Sequence, residues 1–171
     1  MIAFDFEPQA AVRAKYRMMC AMLNDDARNH SFANAIEKAV AARLQQVGSC
    51  TVLDIGTGFG FLGLVAARAG AVVTACEMNE AVANVARTLV RRNGLEARMT
   101  VVSMRSDEMS VAELGGRRAD VVVTETLDSA LLSEGIVPTL RHAQAELLDP
   151  AHGVTIPASA AVYAELSAST R

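Results

Sequence analysis

Near the first third of the chain, a run of apolar and β-branched residues, Cys50-Thr-Val-Leu-Asp-Ile55, ends directly in Gly56-Thr-Gly-Phe-Gly60. A buried strand that turns at once into a helix needs glycine there. Without a Cβ the backbone bends tightly and lets a ligand approach it. The pattern then repeats. A helix over 61–69 is closed by Gly70, and a second strand runs from Ala71 to Cys76. A helix over 80–92 is stopped by Asn93-Gly94, and strands follow from Arg98 to Ser103 and from Ala119 to Thr124. Strands alternating with helices at this spacing predict βαβ units and a mostly parallel α/β sheet.

The flanks complete the pattern. Residues 8–23 and 31–46 read as helices, the second with Phe32, Ala35, Ile36, Ala39, Val40 and Leu44 at helical spacing. Asn29 or Ser31 is its expected cap, and Gly48 its end. After a loop at 125–135 come a helix over 137–146 and two late strands, Gly153 to Ile156 and Ala161 to Leu166.

Composition excludes several functions. With 16 basic and 19 acidic residues the net charge is −3, so no bulk electrostatic grip on nucleic acid is expected. Cys20, Cys50 and Cys76 form no CxxC pair, which predicts neither a disulfide framework nor a metal site. No 18-residue apolar run exists and the start, MIAFDFEP, lacks a signal peptide's basic and apolar regions. A soluble, cytoplasmic protein is the expectation.

In parallel sheets ligands bind beyond the carboxyl ends of the strands. The chemically informative residues stand there: Asp54 to Gly60, Glu77, Ser106 to Glu108, and Glu125. Gly58-x-Gly60-x-x-Gly63 formally matches the dinucleotide fingerprint, but the turn itself begins at Gly56. Asp54, two residues earlier, would repel a pyrophosphate and suits a cofactor with positive groups, such as S-adenosyl-L-methionine. Glu77, at the end of the second strand, can accept hydrogen bonds from ribose hydroxyls of either cofactor. One of Ser106, Asp107 and Glu108 could receive an adenine amino group. Together, Val52-Leu-Asp-Ile-Gly-Thr-Gly-Phe-Gly60, Glu77 and the acidic loop resemble the class I S-adenosylmethionine-dependent methyltransferases, with their Rossmann-like sheet. On that resemblance, residues 1–47 are N-terminal helices capping the cofactor site, and 48–171 form the cofactor-binding domain.

The loop after the fourth strand reads Thr124-Glu-Thr-Leu-Asp-Ser-Ala-Leu-Leu-Ser-Glu-Gly135. A hairpin there can bring Glu125 and Glu134 to one face. Two fixed carboxylates suit a guanidinium, which is planar, always charged and presents its donors in a fork. They would aim one nitrogen at the methyl donor and stabilise the charge that remains on the substrate. This loop resembles the double-glutamate loop of protein arginine methyltransferases, and Asp128 between the glutamates resembles the monomethylating, type III branch. Ala21-Met-Leu-Asn-Asp-Asp-Ala-Arg-Asn29 is similar to the family's helix before the sheet. The resemblance implies that Met22 packs beside the reacting methyl group and that Arg28 pairs with the carboxylate of the cofactor's methionine part.

Some family features are missing. The family continues into a β-barrel with a histidine loop and a dimerisation arm, and this chain stops at Arg171, where that domain would begin. Cys20 and Ala21 stand where acids often precede the methionine, and the aromatic N-terminal motif is reduced to Tyr16. His30, His142 and His152 match no catalytic position and are expected at the surface. The expected acceptor is an arginine guanidino nitrogen in protein or peptide. The alternatives are a small guanidino or amine compound, or a silent domain that binds the cofactor or a partner. A monomer, or a weak dimer through an uncovered edge at 161–166, is expected.

Overall fold

The computed structural model describes residues 10–128 and 130–164. Two helices come first, α1 (Ala10–Leu23) and α2 (Asp26–Val47). Strands and helices then alternate: β1 (Thr51–Ile55), α3 (Phe61–Arg68), β2 (Val72–Cys76), α4 (Glu80–Arg92), β3 (Met99–Val102), β4 (Val121–Thr124), α5 (Ile136–His142) and β5 (Val154–Ile156). The five strands make one sheet in the order β3-β2-β1-β4-β5. Every neighbouring pair is parallel, a Rossmann-like arrangement.

The central strand β1 is buried along its whole length, as a strand covered on both faces must be. Its residues alternate between two cores. Val52 joins Ile36, Val40, Ala66, Val73 and Val123 on one face. Leu53 and Ile55 join Val122, Ala143 and Leu147 on the other. Ile36 and Val40 place α2 in the same core as the sheet, although the sequence division groups it with the N-terminal cap.

Several boundaries differ from the sequence expectation for physical reasons. Helix α2 starts a turn or more early because Asp25 caps it, its carboxylate accepting from the Arg28 amide at 3.0 Å. Asn29 is instead inside the helix and uses its side-chain amide to hold the Met22 and Leu23 carbonyls, at 3.1 and 3.0 Å. Gly48 ends α2 in the left-handed region, as expected. The predicted helix over 137–146 divides into α5 and a π-helical turn, Ala143–Leu147. The predicted strand over 161–166 is not formed at 161–164, which is irregular, and its remainder lies outside the described residues. Pro157 follows β5 and has no amide donor to extend a ladder. Among the described residues, β5 is therefore the edge of the sheet on this side, opposite β3.

The chain leaves β1 toward β2 and β3 and returns to β4 on the opposite side. The carboxyl ends of β1 and β4 thus flank a switch in strand order, where ligands bind in such sheets.

Candidate cofactor and acceptor site

A cleft of about 540 Å³ opens at that switch. Its floor is the turn after β1. Gly56 has φ +69°, and its amide donates to the Cys76 carbonyl at 3.0 Å. A Cβ on Gly56 would lie 2.5 Å from the Thr126 methyl, so the loop after β4 closes on the turn only because that position is glycine. Gly58 has φ +58° and lies under the Met19 methyl.

Gly56, Gly58 and Glu77 line the cleft; Asp54 and Gly60 do not. Asp54 sits behind the turn. Its Oδ2 accepts from the Thr57 hydroxyl at 2.5 Å and the Gly63 amide at 2.8 Å, fixing turn and helix α3 to β1. Its Oδ1 has no hydrogen-bond partner. Burial raises the Asp54 pKa from 3.8 to about 6. The Thr57 and Gly63 hydrogen bonds oppose this, and the negative charge of Glu77 adds to it. The sequence expectation of Asp54 against the cofactor's cationic groups is thus replaced by a carboxylate that holds the loop from within. Glu77 is 4% exposed and accepts from the Gly58 amide at 3.2 Å and the Asn79 amide at 2.9 Å. Asn79 in turn caps α4.

Helix α1 roofs the cleft with Met18, Met19, Met22 and Leu23. Tyr16 sets its angle: the ring lies 5.5 Å from that of Phe59, and the hydroxyl donates to the Ala81 carbonyl at 3.4 Å. Ser106 and Asp107 line the far wall with Met104 and Arg105; Glu108 does not. Both Asp107 oxygens receive hydrogen bonds from Arg105, at 2.9 and 2.7 Å, and this pairing holds Asp107 below its ordinary pKa.

Glu125 and Glu134 line the same cleft. Asp128 does not; its carboxylate accepts from the Ser133 amide at 3.3 Å and braces the loop between the glutamates. Glu125 is already engaged: Arg28 donates to its Oε2 at 2.8 Å, with both side chains largely buried. The same guanidinium donates to Asn29 Oδ1 at 2.7 Å and lies 5.5 Å over the Phe32 ring. Its Nε is buried with no partner. His142, expected at the surface, is half-buried with Nε2 3.0 Å from the Met109 carbonyl oxygen.

Sequence reasoning missed Thr57 and Gly63 as the partners of Asp54, and Met19, Arg105 and Thr126 as cleft residues. Strand alternation carries a signal for the first pair. Asp54 shares a face of β1 with Val52, which packs in the core formed with α2 and α3.

These residues fit S-adenosylmethionine. The glycine turn brings backbone to the cleft, where it could meet a ligand; Glu77 puts a carboxylate at the end of β2 that could accept from ribose hydroxyls, and Arg28 has a buried N–H without a partner that could meet an anionic group. Among the described residues no group of side chains has the make-up of a metal site, and no helix is long and apolar enough to cross a membrane.

Comparison with known proteins agrees. The family model of ribosomal protein L11 methyltransferase (PrmA) matches residues 33–145, which span α2 to the π-helical turn. The arginine N(omega)-methyltransferase of Streptomyces achromogenes subsp. streptozoticus is 40% identical over 163 residues, covering 94% of this chain and 43% of that protein. Protein arginine N-methyltransferase 7 of Oryza sativa subsp. indica is 41% identical over 158 residues, 87% of this chain and 21% of that protein. The chain thus spans less than half the length of these relatives. Among solved structures, Arabidopsis thaliana protein arginine methyltransferase 10 superposes with a TM-score of 0.67 at 30% identity, over 79% of this chain and 36% of that one. The Trypanosoma brucei PRMT1 enzyme–prozyme heterotetrameric complex with AdoHcy gives 0.69 at 27% identity, over 82% and 42%. The chain therefore belongs to the class I S-adenosylmethionine-dependent methyltransferases, the fold family that the L11 methyltransferase model describes, and within them to the protein arginine methyltransferase family.

Proposed function

We propose that the chain carries out S-adenosylmethionine-dependent methylation of an arginine guanidino nitrogen, in protein or peptide. The observation that carries this reading is that Glu125 and Glu134 line one cleft with the glycine turn and Glu77. When bound, the cofactor supplies an electrophilic methyl group on a sulfonium. Gly56, Gly58 and Glu77 would hold its nucleoside part, with Ser106 or Asp107 toward the adenine, and Arg28 would take its carboxylate. Glu125 and Glu134 would accept hydrogen bonds from the acceptor's guanidinium, fix its plane and keep its charge balanced as the nitrogen attacks. Met22 and the other α1 methionines would exclude water from the reacting face.

A second reading has its own support. The Streptomyces relative is named for arginine, not for protein arginine, so arginine itself or another small guanidino compound is the alternative acceptor. In the type III assignment, Asp128 acts by shaping the loop between the glutamates, and one methyl group is added per guanidino group. The test is product mass and initial rate on peptides and on free arginine. Glu125→Gln and Glu134→Gln each remove a charge-assisted hydrogen bond worth about 1.5–3 kcal/mol, or roughly ten- to a hundredfold in rate. Asp128→Gly should allow a dimethylated product. Unchanged rates in both Gln variants refute the guanidino assignment. The proposed assembly is a monomer or weak dimer; a tight dimer in sedimentation velocity refutes it.

A further inference from the structure

The far wall of the cleft is a single 3-10 turn, Ser106–Glu108, preceded by Met104 and Arg105. Little within the turn fixes it. No side-chain hydrogen bond caps its start. Its amide bonds are long, Glu108 to the Arg105 carbonyl at 3.2 Å and Met109 to the Ser106 carbonyl at 3.4 Å, as is common in such turns. The Arg105–Asp107 pair is about half exposed, and an exposed pair holds weakly. The firm hold comes from elsewhere. Met109, at the end of the turn, is 3% exposed, and its carbonyl oxygen lies 3.0 Å from Nε2 of His142, 33 positions further on. A carbonyl only accepts, so Nε2 is the nitrogen that carries the proton. His142 is itself anchored. It ends α5, and the next residue, Ala143, packs in the same core as Met109. His142 also acts on the turn's carboxylate. The Arg105 hydrogen bonds do most to hold Asp107 below its ordinary pKa, and the charge of His142 adds in the same direction.

We infer that His142 is a positioning residue for the cofactor's base: by holding the Met109 carbonyl it fixes the Ser106–Glu108 turn, and through the turn it sets the preference for a 6-aminopurine. The inference rests on the reading of the cleft as the S-adenosylmethionine site and names what makes that site selective. Adenine presents an amino group that donates. Hypoxanthine, of nearly the same shape, presents a carbonyl that accepts. Of the two residues proposed for the adenine, the Ser106 hydroxyl rotates to suit either base, whereas an ionised Asp107 only accepts. It pairs with the first base and repels the second. A site built around such a hydrogen bond rejects the ligand that lacks it, because its own polar group is then left without a partner. The rejection depends on the acceptor standing still, since a hydrogen bond weakens steeply off its preferred angle. His142 supplies that stillness from α5, which starts just after Glu134 and lines the cleft through Thr139. One short helix thus bears on both the acceptor loop and the adenine wall.

Calorimetry with S-adenosylhomocysteine and S-inosylhomocysteine, its hypoxanthine analogue, reads this preference directly and needs no acceptor. The wild type should favour the adenine ligand about tenfold or more, the low end for a hydrogen bond to a charged group. His142→Leu removes the donor and should narrow that preference by about threefold or more. His142→Gln, whose amide N–H reaches toward the same carbonyl, should restore the wild-type ratio, which a merely space-filling imidazole does not predict. His142→Asn is too short to reach; it should behave as the Leu variant does, and it serves if that variant does not fold. A wild-type ratio near one overturns the proposal. So does a ratio that His142→Leu or His142→Asn leaves unchanged while both affinities fall together, or one that His142→Gln does not restore. The two readings fail separately: a wild type that binds neither ligand refutes the cofactor site and this proposal with it, whereas binding with an unmoved ratio refutes only the role of His142.

Discussion

Asp54 holds a charge against the preference of its surroundings, and replacing it with Asn should change how stability depends on pH. The carboxylate is 1% exposed. Oδ2 holds the Thr57 hydroxyl and the Gly63 amide, and Oδ1 has nothing. A carboxyl whose pKa is higher in the folded state than in the unfolded one binds its proton more tightly when folded. Its contribution to stability is complete below the ordinary value of 3.8 and is lost as the pH rises through about 6. At about 1.4 kcal/mol for each tenfold in proton affinity, that displacement is worth roughly 3 kcal/mol in all. About 2–3 kcal/mol of it falls between about pH 4 and pH 7. Asparagine keeps an acceptor for Thr57 and Gly63 but does not titrate. The assay is urea denaturation of both proteins across that range without ligand, where the subtraction cancels the other titrating groups. The stability of the wild type minus that of Asp54→Asn should fall by about 2–3 kcal/mol as the pH rises. A difference that is flat, or that grows with pH, refutes the view of Asp54 as a charged clamp buried behind the loop.

Two more perturbations separate the floor of the cleft from the opposite end of the sheet. Gly58→Val puts a β-branched residue at φ +58° under Met19 and should abolish S-adenosylhomocysteine binding; a folded variant with an unchanged thermal shift on ligand addition shows that the turn does not touch the ligand. Asp120, 3% exposed, accepts from the Thr51 amide, Arg43 and Arg117 at 2.7, 2.8 and 3.0 Å. Asp120→Ala strands a buried amide and a largely buried cation, which should cost about 3–5 kcal/mol in denaturant unfolding; a loss under about 1 kcal/mol would mean that the cluster is as weak as a surface pair.

What was legible in the sequence follows from range. The strands, the glycine turn, Glu77 and the Asn93-Gly94 stop are local signals, each carried by a few adjacent residues, and the structure has them in place. The start of α2 was local too, but ambiguous. Asp25, Asn29 and Ser31 are all capping residues, and the choice among them depends on where Asn29 sends its side chain, which is to the carbonyls of another helix. The irregular path after Pro157 defeats an apolar pattern that would suit a strand, because an apolar run does not say whether a partner edge is in reach. The Arg28–Glu125 pair is the extreme case. Its members stand 97 positions apart, and no periodicity links them. Each was assigned singly, Arg28 to a cofactor anion and Glu125 to an acceptor cation, and neither reading anticipates that the two side chains meet. Two opposite charges that line one cleft attract each other, and only the folded chain brings them there.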